Sequence, residues 1–312
     1  MKSVLVLWYS QSGQLAQVME QVVFPLRMAS DIRLEERQLE PQTPYPFPWS
    51  FWQFLDAFPE TVTLKPGPIK PLHLDLNQRY DLIIIGYPIW FLSPPPPLTA
   101  FLQSEEAKRL LPNTPVVTVT ACRNMWLMAQ ETVKTLLNRN GANHVDHIAL
   151  TDQGDAFSTF ITTPRWMLTG KKNAFWKFPP AGVAPSDINA SSRFGEAIKE
   201  ALRKGQQQRS MLQGLGACDV DARLIASEKI GKRSFTIWGT LLSKLGKPGS
   251  FIRRIGLGIY VTFLLAMIIT VVPITMLIKF LLRPLLKNKL EQLKQQFEQP
   301  SGSSRDRIRT AS

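Results

Sequence analysis

The sequence predicts an α/β fold in which a doubly wound, five-stranded parallel sheet with long insertions precedes C-terminal transmembrane and amphipathic helices. Three observations carry this expectation. Short continuous apolar runs at residues 4–9 and 81–86 match strands buried on both faces of a parallel sheet. Segments of helical periodicity separate such runs, the alternation from which doubly wound sheets are built. The charge is also segregated. Residues 1–228 hold 22 basic and 21 acidic residues, whereas residues 229–312 hold 15 and 3, so +12 of the net +13 lies in the last quarter of the chain.

Taken in order, residues 4–9 predict the first strand, which runs into Ser10-Gln11-Ser12-Gly13-Gln14 and a helix over 15–27. Residues 32–39 alternate as a second strand. A proline-rich aromatic insertion follows at 40–77, then a strand at 81–86 and a helix at 98–111. Strands at 115–120 and 145–150 flank a helix over 125–140. A second insertion, 151–184, reads as a long loop carrying Trp166, Phe175, Trp176 and Phe178, and an amphipathic helix over 191–204 closes the domain. Loops this long in a compact domain are usually functional.

The chain thus divides into a domain over 1–204, a linker with an interfacial amphipathic helix over 205–254, a membrane-embedded helix over 255–278 and a basic tail over 279–312. The uncharged run at 255–278 exceeds the ~20 residues needed to cross a bilayer, and Pro273 interrupts it. Lysines and arginines border both ends, so the positive-inside rule does not choose an orientation. A single span with the tail outside and a re-entrant segment bent at Pro273 both remain open. Stripes at Phe235, Trp238, Leu241, Leu242 and Leu245, and at Leu286, Leu290, Leu293 and Phe297, predict helices lying at the membrane interface. The Ser/Gly/Arg-rich stretch after Pro300 reads as disordered. Basic residues that border an apolar run argue for a lipid membrane partner and against nucleic acid. The N-terminal apolar run is too short for a signal peptide, which places the folded domain on the cytoplasmic side of the cytoplasmic membrane.

Two cysteines, Cys122 and Cys218, have no zinc-type spacing. Strand alternation puts His144 and Asp146 on one face and His147 on the other, so no metal site is expected.

Ligands of such sheets bind beyond the carboxyl ends of the strands. Three strand-end loops are chemically loaded there. Ser10, Gln11, Ser12, Gly13 and Gln14 combine hydroxyls, a glycine and a helix N-terminus, the parts of an anion cradle. Tyr87, Pro88, Ile89 and Trp90 offer aromatic surface for a planar ligand. Ala121, Cys122, Arg123, Asn124 and Trp126 add a cation, an amide and another ring.

Together the loops resemble the flavodoxin-like, FMN-binding family over about residues 1–150. The resemblance implies that residues 10–14 hold the FMN phosphate, that Pro88, Ile89 and Trp90 line one side of the isoalloxazine, and that the 121–126 loop lines the other. Leu15 stands where that family carries a second threonine, which implies one phosphate contact fewer. Longer strings, among them Tyr45-Pro46-Phe47-Pro48-Trp49, Pro164-Arg165-Trp166-Met167-Leu168-Thr169-Gly170 and Ser227-Glu228-Lys229-Ile230-Gly231, are similar to bacterial dialkylresorcinol condensing enzyme family proteins. That implies a place in dialkylresorcinol or aryl polyene synthesis, beside a redox or ketosynthase partner.

A Claisen condensation needs a cysteine activated by histidine, and nothing in the sequence places His73, His144 or His147 around Cys122. The flavin pattern points instead to a membrane-anchored oxidoreductase that aromatises a lipid-like cyclic dione. Arg123 would stabilise developing negative charge, and Asp152 and Asp155 are the candidate bases. A quinone reductase and a flavodoxin-type electron carrier are the alternative functions.

Overall fold

The computed structural model describes the backbone of residues 1–310 and the side chains of all of these except Ala156 and residues 271–287. The elements run β1 (Lys2–Trp8), α1 (Gln14–Arg27), β2 (Ile32–Gln38), α2 (Phe51–Asp56), α3 (Phe58–Val62), β3 (Leu82–Pro88), α4 (Pro96–Leu102) and α5 (Glu105–Leu110). They continue with β4 (Pro115–Cys122), α6 (Leu127–Arg139), β5 (Asn143–Thr151), α7 (Ala156–Thr169), α8 (Pro185–Ala190) and α9 (Ser192–Arg203). The chain closes with α10 (Ala222–Lys244), α11 (Phe251–Glu298) and α12 (Asp306–Arg309).

All strand pairs are parallel and the order is β2-β1-β3-β4-β5, the flavodoxin-like winding that the sequence predicts. The order reverses between β1 and β3, and their carboxyl ends open the crevice in which ligands of such sheets sit. Alternate residues of each strand feed two cores. Val4, Val6 and Ile84 face α1 and α9, while Leu5, Leu7 and Ile85 face α4 and α6. Burying each such side chain contributes about 1.5–3 kcal/mol. Gly195 permits the close approach of α9 to α1, since a Cβ there would stand 2.0 Å from the Val22 carbonyl oxygen.

Several expectations need correction. The helix expected over 98–111 is two helices, because Ser104 starts a new one by accepting a hydrogen bond from the Ala107 amide (3.2 Å). The insertion at 151–184 is no continuous loop, since α7 occupies its first half and Asp155 caps it. The β4–β5 register shifts between Val116 and Val117, a bulge that opposes Val145 to no residue. A bulge resets the alternation beyond it, so His144 Nε2 and His147 Nδ1 both meet Thr118 Oγ1, at 2.9 and 2.8 Å. The two histidines therefore share a partner that strict alternation denied them. Asp146 binds elsewhere, accepting from Ser210 Oγ (2.7 Å), the Met211 amide (2.6 Å) and Ser301 Oγ (2.7 Å).

The stretch after Pro300 is docked where the sequence predicts disorder. Ser301 Oγ also accepts from the His147 amide (2.7 Å), the Gly216 amide donates to Ser304 O (2.6 Å), and the Arg307 amide donates to Gly214 O (3.0 Å). The α10 stripe, expected at the membrane interface, is divided. Phe235, Trp238 and Leu242 pack against Phe58, Val62 and Tyr260, leaving Leu241 and Leu245 exposed. On the second stripe Leu293 and Phe297 pack beside Trp126 and Ile225, and Leu286 falls outside the described side chains. So does Pro273, where the re-entrant alternative puts its bend.

Candidate functional site

The loop after β1 builds the cradle. Gly13 adopts φ 81°, a left-handed conformation suited to glycine, and α1 begins directly after it. Among the described residues, apart from its chain neighbours, no atom lies within 4 Å of where a Gly13 Cβ would project, so the space before the helix N-terminus is open. Ser10 Oγ accepts from the Ala16 amide at 3.3 Å. Ser10 and Ser12 are half-buried, and Leu15, at the position of the departure from the family pattern, is buried in the core. Gln11 serves differently from the expected phosphate contact. Its Nε2 donates to the Tyr45 and Pro46 carbonyls (3.1 and 2.6 Å) and its Oε1 accepts from the Tyr9 hydroxyl, which ties the cradle to the proline-rich insertion. The side chain of Gln14 is buried against Gly182.

The loop after β3 is a tight turn in which the Trp90 amide donates to Ser93 O (3.0 Å) and the Ser93 amide to Trp90 O (2.8 Å). Phe91 and Leu92 sit at its tip with φ 49° and 56°, a conformation costing a non-glycine residue about 1–2 kcal/mol. Trp90 is 8 % exposed, and its ring meets Tyr9, Tyr45 and Trp49 in edge-on contacts at 5.9, 5.0 and 5.3 Å. These rings box Trp90 in, beside half-buried Pro88 and Ile89. Tyr87 points away from the crevice. It is fully buried, and its hydroxyl donates to Gln130 Oε1.

The loop after β4 places Ala121 at the end of the strand and leaves Cys122, Arg123 and Asn124 half-buried. Arg123 Nε donates to Thr159 Oγ1 at 2.7 Å, and its guanidinium lies 3.9 Å over the Phe160 ring. Burial pushes the Cys122 thiol well above its ordinary range, so it stays protonated and weakly nucleophilic. Trp126, expected at the ligand, is 2 % exposed instead and packs among Cys218, Val220, Ile225 and Phe297. The C-terminal segments that cover it are distant in sequence.

Asp152 clasps these loops together. Its amide donates to the Cys122 and Arg123 carbonyls (2.9 and 3.0 Å), while its carboxylate accepts from the Gly154 amide (2.8 Å) and the Gly182 amide. Burial raises its pKa, an effect that those amides and Arg123 oppose. Asp155 is a helix cap, accepting from the Phe157 and Ser158 amides (2.8 and 3.0 Å) and from the Ser158 hydroxyl, and the Ser158 bond lowers its pKa. Asn124, Asp152 and Asp155 also line a cavity of about 600 Å³ with Asp219, Asp221 and Lys294.

Two groups escaped the sequence reading. The side chain of Trp126 gives α6 no cap, and Glu228 of α10 supplies one, accepting from the Met128 amide at 2.7 Å. Glu228 is fully buried, and among the described residues its Oε2 has no hydrogen-bond partner. Burial pushes its carboxyl up to about 7. One turn later Lys232 Nζ donates to Ser93 Oγ (2.5 Å), and burial brings it down to about 8. Between them Gly231 lies against Leu92. Helix α10 therefore bolts the β3 loop to the N-terminus of α6. Its only signal in the sequence is an acid and a base one helical turn apart, a spacing that ordinarily marks a solvated face.

Sheet order and loop placement define an α/β protein of the flavodoxin-like fold, with the carboxyl edge of its sheet as the candidate site. No family model matches the chain, and no curated protein matches it. Among solved structures, it is similar to a flavoprotein in complex with FMN from Lactobacillus acidophilus at 20% identity and a TM-score of 0.39, covering 48% of this chain and 93% of that one. Oxidised flavodoxin 1 from Bacillus cereus is 12% identical with a TM-score of 0.36, over 64% of this chain and 98% of that one. The general stress protein 14 of Treponema denticola, in complex with FMN, is 12% identical with a TM-score of 0.33, over 65% and 99%.

Proposed function

We propose that this chain is an FMN-dependent oxidoreductase held at a membrane, and that it oxidises a lipid-like cyclic dione to a dialkylresorcinol-type aromatic. The observation that carries the flavin reading is the open, left-handed Gly13 turn before α1, placed at the β1/β3 switch point beside the β3 loop. Backbone amides at a helix N-terminus bind phosphate, and Ser10 and Ser12 add hydroxyls beside them. Pro88, Ile89 and Trp90 would face one side of the ring system, with Cys122, Arg123 and Asn124 on the other. FMN bound there supplies a two-electron acceptor.

The protein's own groups account for the rest. Asp152, its basicity raised by burial, takes the proton next to the ring carbonyl of the dione. Arg123 stabilises the enolate oxygen that this leaves. Asp155 is spent on capping α7. The protonated Cys122 thiol, with no histidine bonded to it among the described residues, speaks against a condensing role. The uncharged run at 255–278 and its basic borders favour a membrane as the source of an alkylated substrate.

The absorbance of the detergent-purified chain tests the reading. A visible flavin band, or its appearance on adding FMN, is the expected result. A colourless protein that fails to bind FMN refutes it. Turnover of a dialkylcyclohexanedione, with no turnover of a quinone, identifies the reaction.

A further inference from the structure

We infer that the outward face of α7 and the turn at Trp176 dock on an anionic phospholipid surface, as a membrane contact separate from α11. The inference deepens the membrane reading above and rests on it. Helix α7 is inverted for a helix on a folded domain. Ser158, Thr159, Thr162 and Trp166 face inward and are buried. Phe157, Phe160, Ile161 and Leu168 lie on the opposite side and are exposed, Phe157 to 70 %. At about 3.6 residues per turn these four fall on one stripe. An apolar stripe that a soluble helix would bury is here turned outward, the mark of a surface that meets a partner.

The segment after α7 is held so that it presents a ring in the same way. Arg165 Nη1 donates to the Lys171 and Asn173 carbonyls (3.0 and 2.9 Å), and its guanidinium lies 4.1 Å over the Phe175 ring. Phe175 and Phe178 exchange backbone hydrogen bonds (3.3 and 3.0 Å), which leaves Trp176 and Lys177 at the tip of the turn. Trp176 adopts φ 52° and is 87 % exposed. A tryptophan displayed on a fixed turn suits the boundary between headgroups and acyl chains. Lys171, Lys172 and Lys177 are exposed around it, and residues 156–186 include no acidic residue. This apolar face with a basic rim complements anionic headgroups.

Contacts also link this face to the apolar first half of α11. The Trp49 amide donates to Met167 O of α7 (2.8 Å), and α2 follows at once with Phe51 and Trp52 exposed. Asp56, at the end of α2, accepts from the Gly249 amide (3.1 Å) just before α11 begins. Helix α2 therefore bridges from α7 to the stretch Phe251–Thr270, whose mean hydropathy is 1.8. The inner face of α7 meets the crevice, where Thr159 and Phe160 hold Arg123. One helix thus separates the crevice from the lipid that supplies the proposed substrate.

The test reconstitutes the full chain into vesicles of phosphatidylcholine with or without phosphatidylglycerol. A nitrobenzoxadiazole dye is carried on Phe157→Cys or, as control, on Met28→Cys, which is exposed on the turn between α1 and β2. The native chain taken through the same labelling sets the background. With phosphatidylglycerol present, the dye at position 157 should shift to the blue and be quenched by doxyl-labelled lipid, and the dye at position 28 should do neither. Each lysine near an anionic surface shifts the docking equilibrium about fivefold, so Lys171→Gln, Lys172→Gln and Lys177→Gln together should weaken it about a hundredfold and abolish the quenching. A position-157 dye that stays water-like while the chain floats with the vesicles overturns the docking and leaves the α11 anchor standing. Equal quenching without phosphatidylglycerol overturns the anionic partner. A blue shift without lipid quenching places a second copy of the chain on this face and overturns the inference. A chain that does not float with the vesicles overturns the membrane reading, and this inference with it. None of these results bears on flavin binding, which the absorbance reads separately.

Discussion

Replacing Glu228 by glutamine changes one buried proton site and little else. The carboxamide oxygen introduced by Glu228→Gln would still accept from the Met128 amide, and its NH2 group would stand where Oε2 now has no partner. In the native chain, burial raises the carboxyl from its ordinary 4.5 to about 7. The folded state therefore keeps a proton that the unfolded chain has released. Stability from the neutral acid is present below pH 4.5 and is lost as pH rises through 7. At about 1.4 kcal/mol per pH unit, the full loss is roughly 3 kcal/mol. Glutamine does not titrate, so Glu228→Gln should match the native protein near pH 4.5 and exceed it by about 3 kcal/mol at pH 8. Lys232, brought down to about 8, does its titrating mostly above this window. All other groups occur in both proteins and cancel in the difference. Tryptophan fluorescence melts of the detergent-solubilised pair at pH 5 and 8 give the readout, with Tm separating by roughly 5–10 °C at the higher pH. A separation that is the same at both pH values would refute a neutral, buried Glu228.

Three further substitutions probe other parts of the molecule. Gly13→Val forces a branched residue into φ 81° and projects into the open cradle, so FMN affinity measured by flavin fluorescence quenching should fall by about tenfold or more, given the 1–2 kcal/mol cost of that conformation. Arg253→Met leaves Asp56 and Glu60 without the fully buried guanidinium they meet at 3.3 and 2.5 Å, and denaturant unfolding should show a loss of about 3–5 kcal/mol. Asp146→Ala removes the acceptor shared by Ser210, Met211 and Ser301. At about 1–3 kcal/mol for each buried donor left unpaired, tryptic cleavage at Arg305 and Arg307 should accelerate at least tenfold while the sheet domain stays intact.

The strands were legible because a strand buried on both faces must be a continuous apolar run, as at Leu82–Pro88. The turn before α1 was legible for a similar reason, since a left-handed residue directly before a helix is most readily a glycine, as Gly13 is. What stayed hidden depends on partners far along the chain. The Glu228 cap on Met128 joins positions 100 residues apart, and the Ser301 bond to Asp146 joins positions 155 apart. No local pattern encodes either. The bulge at Val145 was hidden because one extra residue leaves the composition of a strand unchanged while reversing its faces. Trp126 was misplaced for the converse reason. An aromatic on a strand-end loop suits a planar ligand until a distant helix covers it, and here α10 and the end of α11 do so.

Those coverings make α10 the mechanical centre of the molecule. Its first half holds the N-terminus of α6 through Glu228, the next turn holds the β3 loop through Gly231 and Lys232, and the far end carries α11 through Trp238 and Leu242. The left-handed backbone at Phe91 and Leu92 persists because neighbours outweigh its cost. Phe91 is packed on Phe54 and Phe58, with ring centroids 4.9 and 5.2 Å apart, and Leu92 lies against Gly231. Phe58 in turn stacks on Tyr260 of α11 at 4.5 Å. The contacts that shape the β3 side of the crevice are thus continuous with those that seat the apolar first half of α11. A detergent or lipid that displaces α11 acts on Phe58 first, then on the turn at Phe91, and only then on the crevice. Helix α11 and the crevice form one packed unit, and a truncation before α11 would keep the sheet and the Gly13 turn while releasing the turn that closes the other side.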